Sequence, residues 1–174
     1  MTRLSEIYIL DTGTLFSTWT KRVPTGDFLT VPGVLQEIRN KPSKLRSDIL
    51  MTLERLREEA PETVSIRAVQ SAAQATGDSR VLSEADVDLL ALAHTKKSQG
   101  FSTTLVSSDL AVLNTAKQMG ISIIDPSGRF RHEIIWSFKC PACNHKSKST
   151  TKDLECPVCG TQMRRIISSK KKTR

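Results

Sequence analysis

The chain has 174 residues, of which 38% are hydrophobic and 25% charged, enough for one domain with a proper core plus one small module. No run approaches the ~18 apolar residues that span a bilayer, and the opening MTRLSEIYILDTG, broken by Glu6 and ended by Asp11, does not read as a signal peptide, so a cytoplasmic protein is expected. The net charge of +8 is uneven: residues 1–130 hold fifteen Lys/Arg and fifteen Asp/Glu, while residues 131–174 hold eleven and three, so a neutral body carries one basic end suited to a polyanion.

Residues 5–10 (SEIYIL) read as a buried strand that stops at Asp11. Residues 12–21 read as a short helix or loop. Thr30-Val31-Pro32 predicts a second helix, with threonine as N-cap and proline in the first turn; Val31, Leu35 and Ile38 line one face. Ser43 is placed to cap a third helix bearing Leu45, Ile49, Leu53 and Leu56 at helical spacing, ended by Pro61. Residues 63–69 (TVSIRAV) read as a strand and residues 71–81 as a loop. Ser83 opens a helix to about Lys97, and residues 103–107 (TTLVS) form a strand. Asp109 to Met119 form a helix with Gly120 as its C′ residue, and residues 121–124 (ISII) form the last strand. The order β-α-α-α-β-α-β-α-β implies an α/β fold with a parallel sheet covered on both faces. Ligands in such sheets sit beyond the carboxyl ends of the strands. Pro126-Ser127-Gly128 has linker character, and Ser168–Arg174 reads as a disordered basic tail.

Cys140, Cys143, Cys156 and Cys159 follow C-x2-C, twelve residues, C-x2-C. Each pair brings two thiolates onto one turn, and two turns supply the closed tetrahedral shell of a structural zinc site. Gly160 after the second pair permits a positive φ, and Asn144 is the next-best residue in the matching place. Two disulfides are disfavoured without a secretion signal, an iron–sulfur cluster is less favoured than zinc, and His145 is not needed to complete the shell. A closed shell leaves no open position for catalysis, so the chemistry is expected elsewhere.

Four acids of the neutral body stand out. Asp11 ends the first strand, Glu37 lies between Leu35 and Ile38, Asp86 lies in the first turn of its helix, and Asp109 opens a helix after a strand. Each also has an ordinary structural role open to it: a turn for Asp11, solvated helix charge for Glu37, and capping for Asp86 and Asp109. Asp86, however, shares its helical arc with Leu89, Leu90 and Ala93, and an unpaired carboxylate is expensive to bury. Several carboxylates converging on one point would hold hard divalent cations such as Mg2+ or Mn2+.

Residues 7–16 (IYILDTGTLF), 30–39 (TVPGVLQEIR), 82–93 (LSEADVDLLALA) and 105–114 (LVSSDLAVLN) resemble the four acid-bearing segments of a PIN-domain ribonuclease. A PIN domain followed by a four-cysteine ribbon is similar to the endonuclease family that matures the 3′ end of small-subunit ribosomal RNA in archaea and eukaryotes. The resemblance spans roughly residues 5–166. It implies a PIN-like parallel sheet flanked by helices over 1–126, a linker at 127–135, a zinc ribbon at 136–166 and a basic tail at 167–174. It implies Asp11, Glu37, Asp86 and Asp109 as the catalytic, Mg2+- or Mn2+-binding acids, with Ser107 or Thr12 supporting them by hydrogen bonds. Ser108 stands where many PIN domains carry a further aspartate.

The implied reaction is metal-assisted hydrolysis of an RNA phosphodiester leaving 5′-phosphate and 3′-hydroxyl ends. None of His94, His132 and His145 falls in the four segments, so a histidine-based mechanism is disfavoured. The basic ribbon would grip RNA, with precursor rRNA within the small subunit as the expected partner, through Lys139, Lys146, Lys148, Arg164 and Arg165, with Lys170–Lys172 and Arg174 as an extension. Ribosome-assembly factors are further expected partners, and a membrane is not. Trp136 and Phe138 are expected to pack the ribbon rather than stack on bases. Competing readings are a toxin-type PIN ribonuclease, against which the ribbon argues, a non-catalytic assembly factor, and a zinc ribbon on an unrelated α/β domain.

Overall fold

The computed structural model describes residues 6–23, 26–38, 41–148 and 154–173, without the side chains of residues 41–43. Arg174 lies outside the described residues. Five short strands form a parallel sheet: β1 (Ile7–Leu10), β2 (Asp27–Thr30), β3 (Leu56–Glu58), β4 (Thr103–Val106) and β5 (Ser122–Ile124), in the order β3-β2-β1-β4-β5. The helices are α1 (Thr12–Phe16), α2 (Pro32–Glu37), α3 (Lys41–Thr52), α4 (Thr63–Thr76), α5 (Glu84–Ser98) and α6 (Leu110–Gln118), with a 3-10 turn at Trp19–Arg22. Ile9, Leu10, Phe28 and Leu105 of the sheet are buried with Leu89, Leu90 and Leu92 of α5 in one core. Each such side chain contributes roughly 1.5–3 kcal/mol. Among the described residues no helix is long and apolar enough to cross a membrane.

The parallel α/β architecture is as expected, but several elements differ. Residues 63–69 are helical, and α4 continues through most of the expected loop at 71–81. Its buried positions Ser65, Val69, Ala73 and Thr76 recur at helical spacing while Val64 is 61% exposed, so the β-branched run belongs to an amphipathic helix. The neighbouring strand is instead β3, which takes Leu56 from the expected third helix. That helix stops at Thr52, and Glu54 turns the chain with φ 55°. Its expected apolar stripe faces outward: Leu45 and Leu53 are each 61% exposed, while Ser47 and Leu50 turn inward. Thr30 ends a strand rather than capping a helix: its hydroxyl donates to Leu10 O at 2.8 Å, and Val31 is the N-cap of α2.

A second, antiparallel sheet comprises β6 (His132–Lys139), β7 (Lys146–Ser147) and β8 (Arg164–Lys172), in the order β7-β6-β8. Residues 132–135, expected as linker, are strand, and residues 167–172, expected as a disordered tail, are also strand. Pairing with β6 orders a segment whose composition alone suggested a solvated tail, with a register shift at Ile135/Trp136.

This sheet is fastened to the body by buried polar contacts. Gly77 ends α4 with φ 77°, and a Cβ there would sit 2.8 Å from that of Trp136, so only glycine fits both the left-handed turn and the close approach. Asp78, 1% exposed, ion-pairs with Arg165 and accepts from Asn114 Nδ2 at 2.6 Å. Asn114 also brackets Ile134, donating to its carbonyl at 2.7 Å and accepting from its N–H at 2.8 Å. The Arg165 guanidinium donates to Gly77 O at 2.9 Å and lies 4.1 Å from the Trp136 ring centroid.

Candidate active site and metal centre

Asp11, Glu37, Asp86 and Asp109 line one cleft of about 300 Å3, at the carboxyl ends of β1 and β4. β1 and β4 are neighbours, and Thr14 Oγ1 donates to Val106 O at 2.8 Å, tying the first turn of α1 to the end of β4. The buried Asp11 caps α1 by accepting from Thr14 N at 2.6 Å. Its other oxygen accepts a short hydrogen bond from the fully buried Ser107, whose hydroxyl in turn accepts from Asp109 N at 3.0 Å. Asp109 caps α6, its Oδ1 accepting from Ala111 N at 2.7 Å and Val112 N at 3.2 Å. Asp86 and Ser83 form a reciprocal capping box on α5. Glu37 Oε2 accepts from Thr12 Oγ1 at 2.7 Å.

The structural and the functional possibilities for these acids therefore coincide. Three of them are caps, and capping directs each carboxylate to a helix start that faces the cleft. Ser107 and Thr12 make the supporting hydrogen bonds expected of them. Ser108 lines the same cleft. Among the described residues no lysine or arginine lines it, and none of the four acids is in an ion pair. Desolvation raises the Asp86 pKa, the Ser83 hydrogen bonds oppose this, and the Asp109 and Glu37 charges add to the rise. A set of hard oxygen donors that repel one another fits a hard divalent cation.

That raised pKa has a sign. Ionised Asp86 weakens the fold above its raised pKa, and the penalty fades as pH falls from that value to below the ordinary carboxylate range. Asp86→Asn is expected to raise the thermal midpoint at neutral pH without added divalent cation. A lower midpoint would show that the capping box outweighs the repulsion.

Gly33 is a contributor that sequence reading missed. A Cβ there would sit 3.1 Å from that of Ala85, so its absence lets α2 approach α5 beside Asp86. One glycine in a helical segment carries no signal of such a contact.

The four cysteine sulfurs lie within 4.8 Å of one another, with Cys140–Cys159 and Cys143–Cys156 separations of 3.5 Å. That is too long for a disulfide and close to the ~3.8 Å edge of a tetrahedron with ~2.3 Å metal–sulfur bonds. Two matching turns build the set: Asn144 N donates to Cys140 O at 3.1 Å, and Gly160 N to Cys156 O at 2.9 Å. Asn144 and Gly160 both take the expected positive φ, 60° and 72°. The Thr161 hydroxyl and N–H pull the Cys159 pKa down to about 6, while at Cys143 the His145 backbone hydrogen bond is outweighed by desolvation and the neighbouring sulfurs, which push the pKa up to about 12. Phe138 and Met163 pack against Cys140 and Cys156, so Phe138 is core, as expected.

The basic candidates divide between two faces. Lys146, Lys139 and Arg164 are direct neighbours across β7, β6 and β8. Like charges so aligned repel, and an anion would relieve them. Lys148 is exposed beyond β7. Arg165, next along β8, projects to the opposite face and is occupied by Asp78 and Trp136. It therefore joins the ribbon to the body, a role that was not expected of it.

Residues 8–95 match the family described as PIN domain of ribonuclease. The chain is 31% identical to endoribonuclease Nob1 of Pyrococcus abyssi over 79% of its length and 82% of the relative's. It is 30% identical to endoribonuclease Nob1 of Archaeoglobus fulgidus over 95% of both. It is also 28% identical to ribonuclease VapC1 of Thermoplasma acidophilum over 97% of its length and 82% of that protein's. The ribbon is therefore a weaker argument against the toxin-type reading than its presence suggested, since that match extends through it. With a PIN domain, a four-cysteine cluster and these relatives, the chain belongs to the PIN-domain endoribonucleases of the Nob1 family.

Proposed function

We propose that this endoribonuclease cuts precursor small-subunit rRNA near its 3′ end, in a reaction that depends on Mg2+ or Mn2+. The observation that carries the metal dependence is the convergence of Asp11, Glu37, Asp86 and Asp109 on one cleft without a cation among its described lining residues. A bound divalent ion would supply Lewis-acid polarisation of the phosphodiester and a water of lowered pKa. Asp11, Glu37, Asp86 and Asp109 would hold it, and Ser107 and Thr12 would fix the orientation of Asp11 and Glu37. The ribbon row Lys146, Lys139 and Arg164, with Lys148, would bind RNA backbone. The substrate assignment is supported by similarity to the two Nob1 relatives across most of the chain. Ribosome-assembly factors and a cytoplasmic setting accompany that reading.

The similarity to VapC1 favours a second reading, a toxin-type ribonuclease. The two separate in one assay. The protein is incubated with Mn2+ or Mg2+ and RNA spanning the small-subunit 3′ end, beside transfer RNA and an unrelated messenger fragment. The proposal expects one dominant cut in the ribosomal RNA and little elsewhere. Preferred cutting of the other RNAs would support the toxin reading, and an uncut ribosomal substrate under every metal condition would overturn the proposal.

The four thiolates are expected to carry one zinc ion per chain by elemental analysis. Cys140→Ser should lose it, and the amides of Phe138 and Met163 should then exchange rapidly with solvent. Retained protection without zinc would mean that the ribbon folds without metal.

A further inference from the structure

A second cleft, of about 340 Å3, opens where β6 and β8 meet the start of α6. Val81, Leu110 and Phe130 give it apolar walls, and Val81 and Leu110 are 53% and 47% exposed. Arg129, Arg131 and Lys170 also line it, and none of them is in an ion pair among the described residues. The lining acid, Asp78, is buried and already engaged by Arg165 and Asn114. The cleft is thus cationic around an apolar floor. Nearby His132 registers that field: desolvation and the Lys170, Lys172 and Arg131 charges lower its pKa.

The two clefts share a rim. Ser108 and Asp109 line the acidic one, and Leu110 and Ala111 line the basic one. Arg129 crosses between them, donating to Ser108 O at 3.1 Å. A phosphate backbone is repelled by the acidic cleft alone and drawn to cations beside it.

We propose that the basic cleft takes a single-stranded RNA nucleotide flanking the cut, its base against Leu110 and Phe130 and its phosphates on Arg129, Arg131 and Lys170. The volume suits a small-ligand site. An apolar floor within a cationic rim is the chemistry that holds unpaired bases, and a base within a duplex enters only at the added cost of unpairing and unstacking. The inference rests on the reading of the four acids as the cleavage centre.

The test uses the full zinc-loaded chain carrying Asp11→Asn, so that RNA stays intact. Binding of a labelled single strand and of a perfect RNA duplex is measured across salt concentrations. Arg131→Glu with Lys170→Glu is expected to weaken single-strand binding at least about tenfold and to flatten the salt slope by roughly 1–2. Val81→Trp, which fills the cleft from an exposed position, should weaken single-strand binding and leave duplex binding and the salt slope unchanged. In protein with Asp11 intact, an abasic site beside the cut should slow cleavage, and should slow it no further once Val81→Trp is present. Unchanged single-strand affinity and salt slope in both cleft variants would overturn the inference, and a peptide occupant would give that result. Cleft-dependent binding by a protein that, with Asp11 intact, cuts no RNA would overturn the acid-site reading and leave the cleft's RNA affinity standing. Normal cutting with unaltered binding in both variants would sink the cleft inference alone.

Discussion

Asp11→Asn is expected to lower RNA cleavage by more than about 100-fold while leaving the fold intact. Asparagine keeps an oxygen for Thr14 N and so retains the α1 cap, but it removes the charge from the most buried of the four acids. Partners that merely orient a metal ligand are worth ~10–100-fold, and a ligand itself should exceed that. Ser107→Ala supplies the lower comparison: it removes the hydroxyl linking Asp11 to Asp109 N and is expected to fall within that ~10–100-fold range. Single-turnover cleavage of the ribosomal RNA substrate in excess Mn2+ measures both. Equal activity of Asp11→Asn and the parent would remove Asp11 from the site, and a larger loss in Ser107→Ala than in Asp11→Asn would reverse their assigned roles.

Asp78→Ala is expected to lower stability by about 3 kcal/mol, near the lower end for breaking a buried ion pair by removing one partner. The lower end applies because the Arg165 side chain remains 28% exposed whereas that of Asp78 is 2% exposed. The loss is compounded because Asn114 also gives up an acceptor. Denaturant unfolding should show the lower midpoint, and amide exchange should rise first in β6 and β8. An unchanged midpoint would mean that the Trp136–Gly77 packing and the Asn114–Ile134 bonds suffice to hold the ribbon.

Much of this was legible in the sequence for a physical reason. Asp11 follows a short apolar run directly and Asp109 follows one after two serines, and such runs are buried strands whose ends carry ligands in parallel sheets. The cysteine spacing and the residues after each pair encode two identical turns, which need no tertiary information. What could not be read depends on distant neighbours. Residues 63–69 carry a β-branched pattern that only the Ala-rich continuation and the burial of Val69 and Ala73 resolve as helix. Residues 27–30 are too few to show a period, and become strand by pairing with β1 and β3. Asp78 stands in a stretch read as a loop, because its partners Asn114 and Arg165 are far along the chain. Arg164 and Arg165 are indistinguishable in composition, and only alternation along β8 separates a solvent-facing cation from a structural one.

The Gly77–Asp78 joint has a geometric consequence. It clamps β8 through Arg165, one residue from Arg164 at the end of the ribbon's basic row, while Asn114 on the same joint belongs to the helix that Asp109 starts. RNA held at the row and cut at the acids would span a fixed protein distance, so the joint would act as a ruler. Loosening it would then blur the position of the cut along the RNA, spreading one product into a ladder, before it slowed the cutting itself.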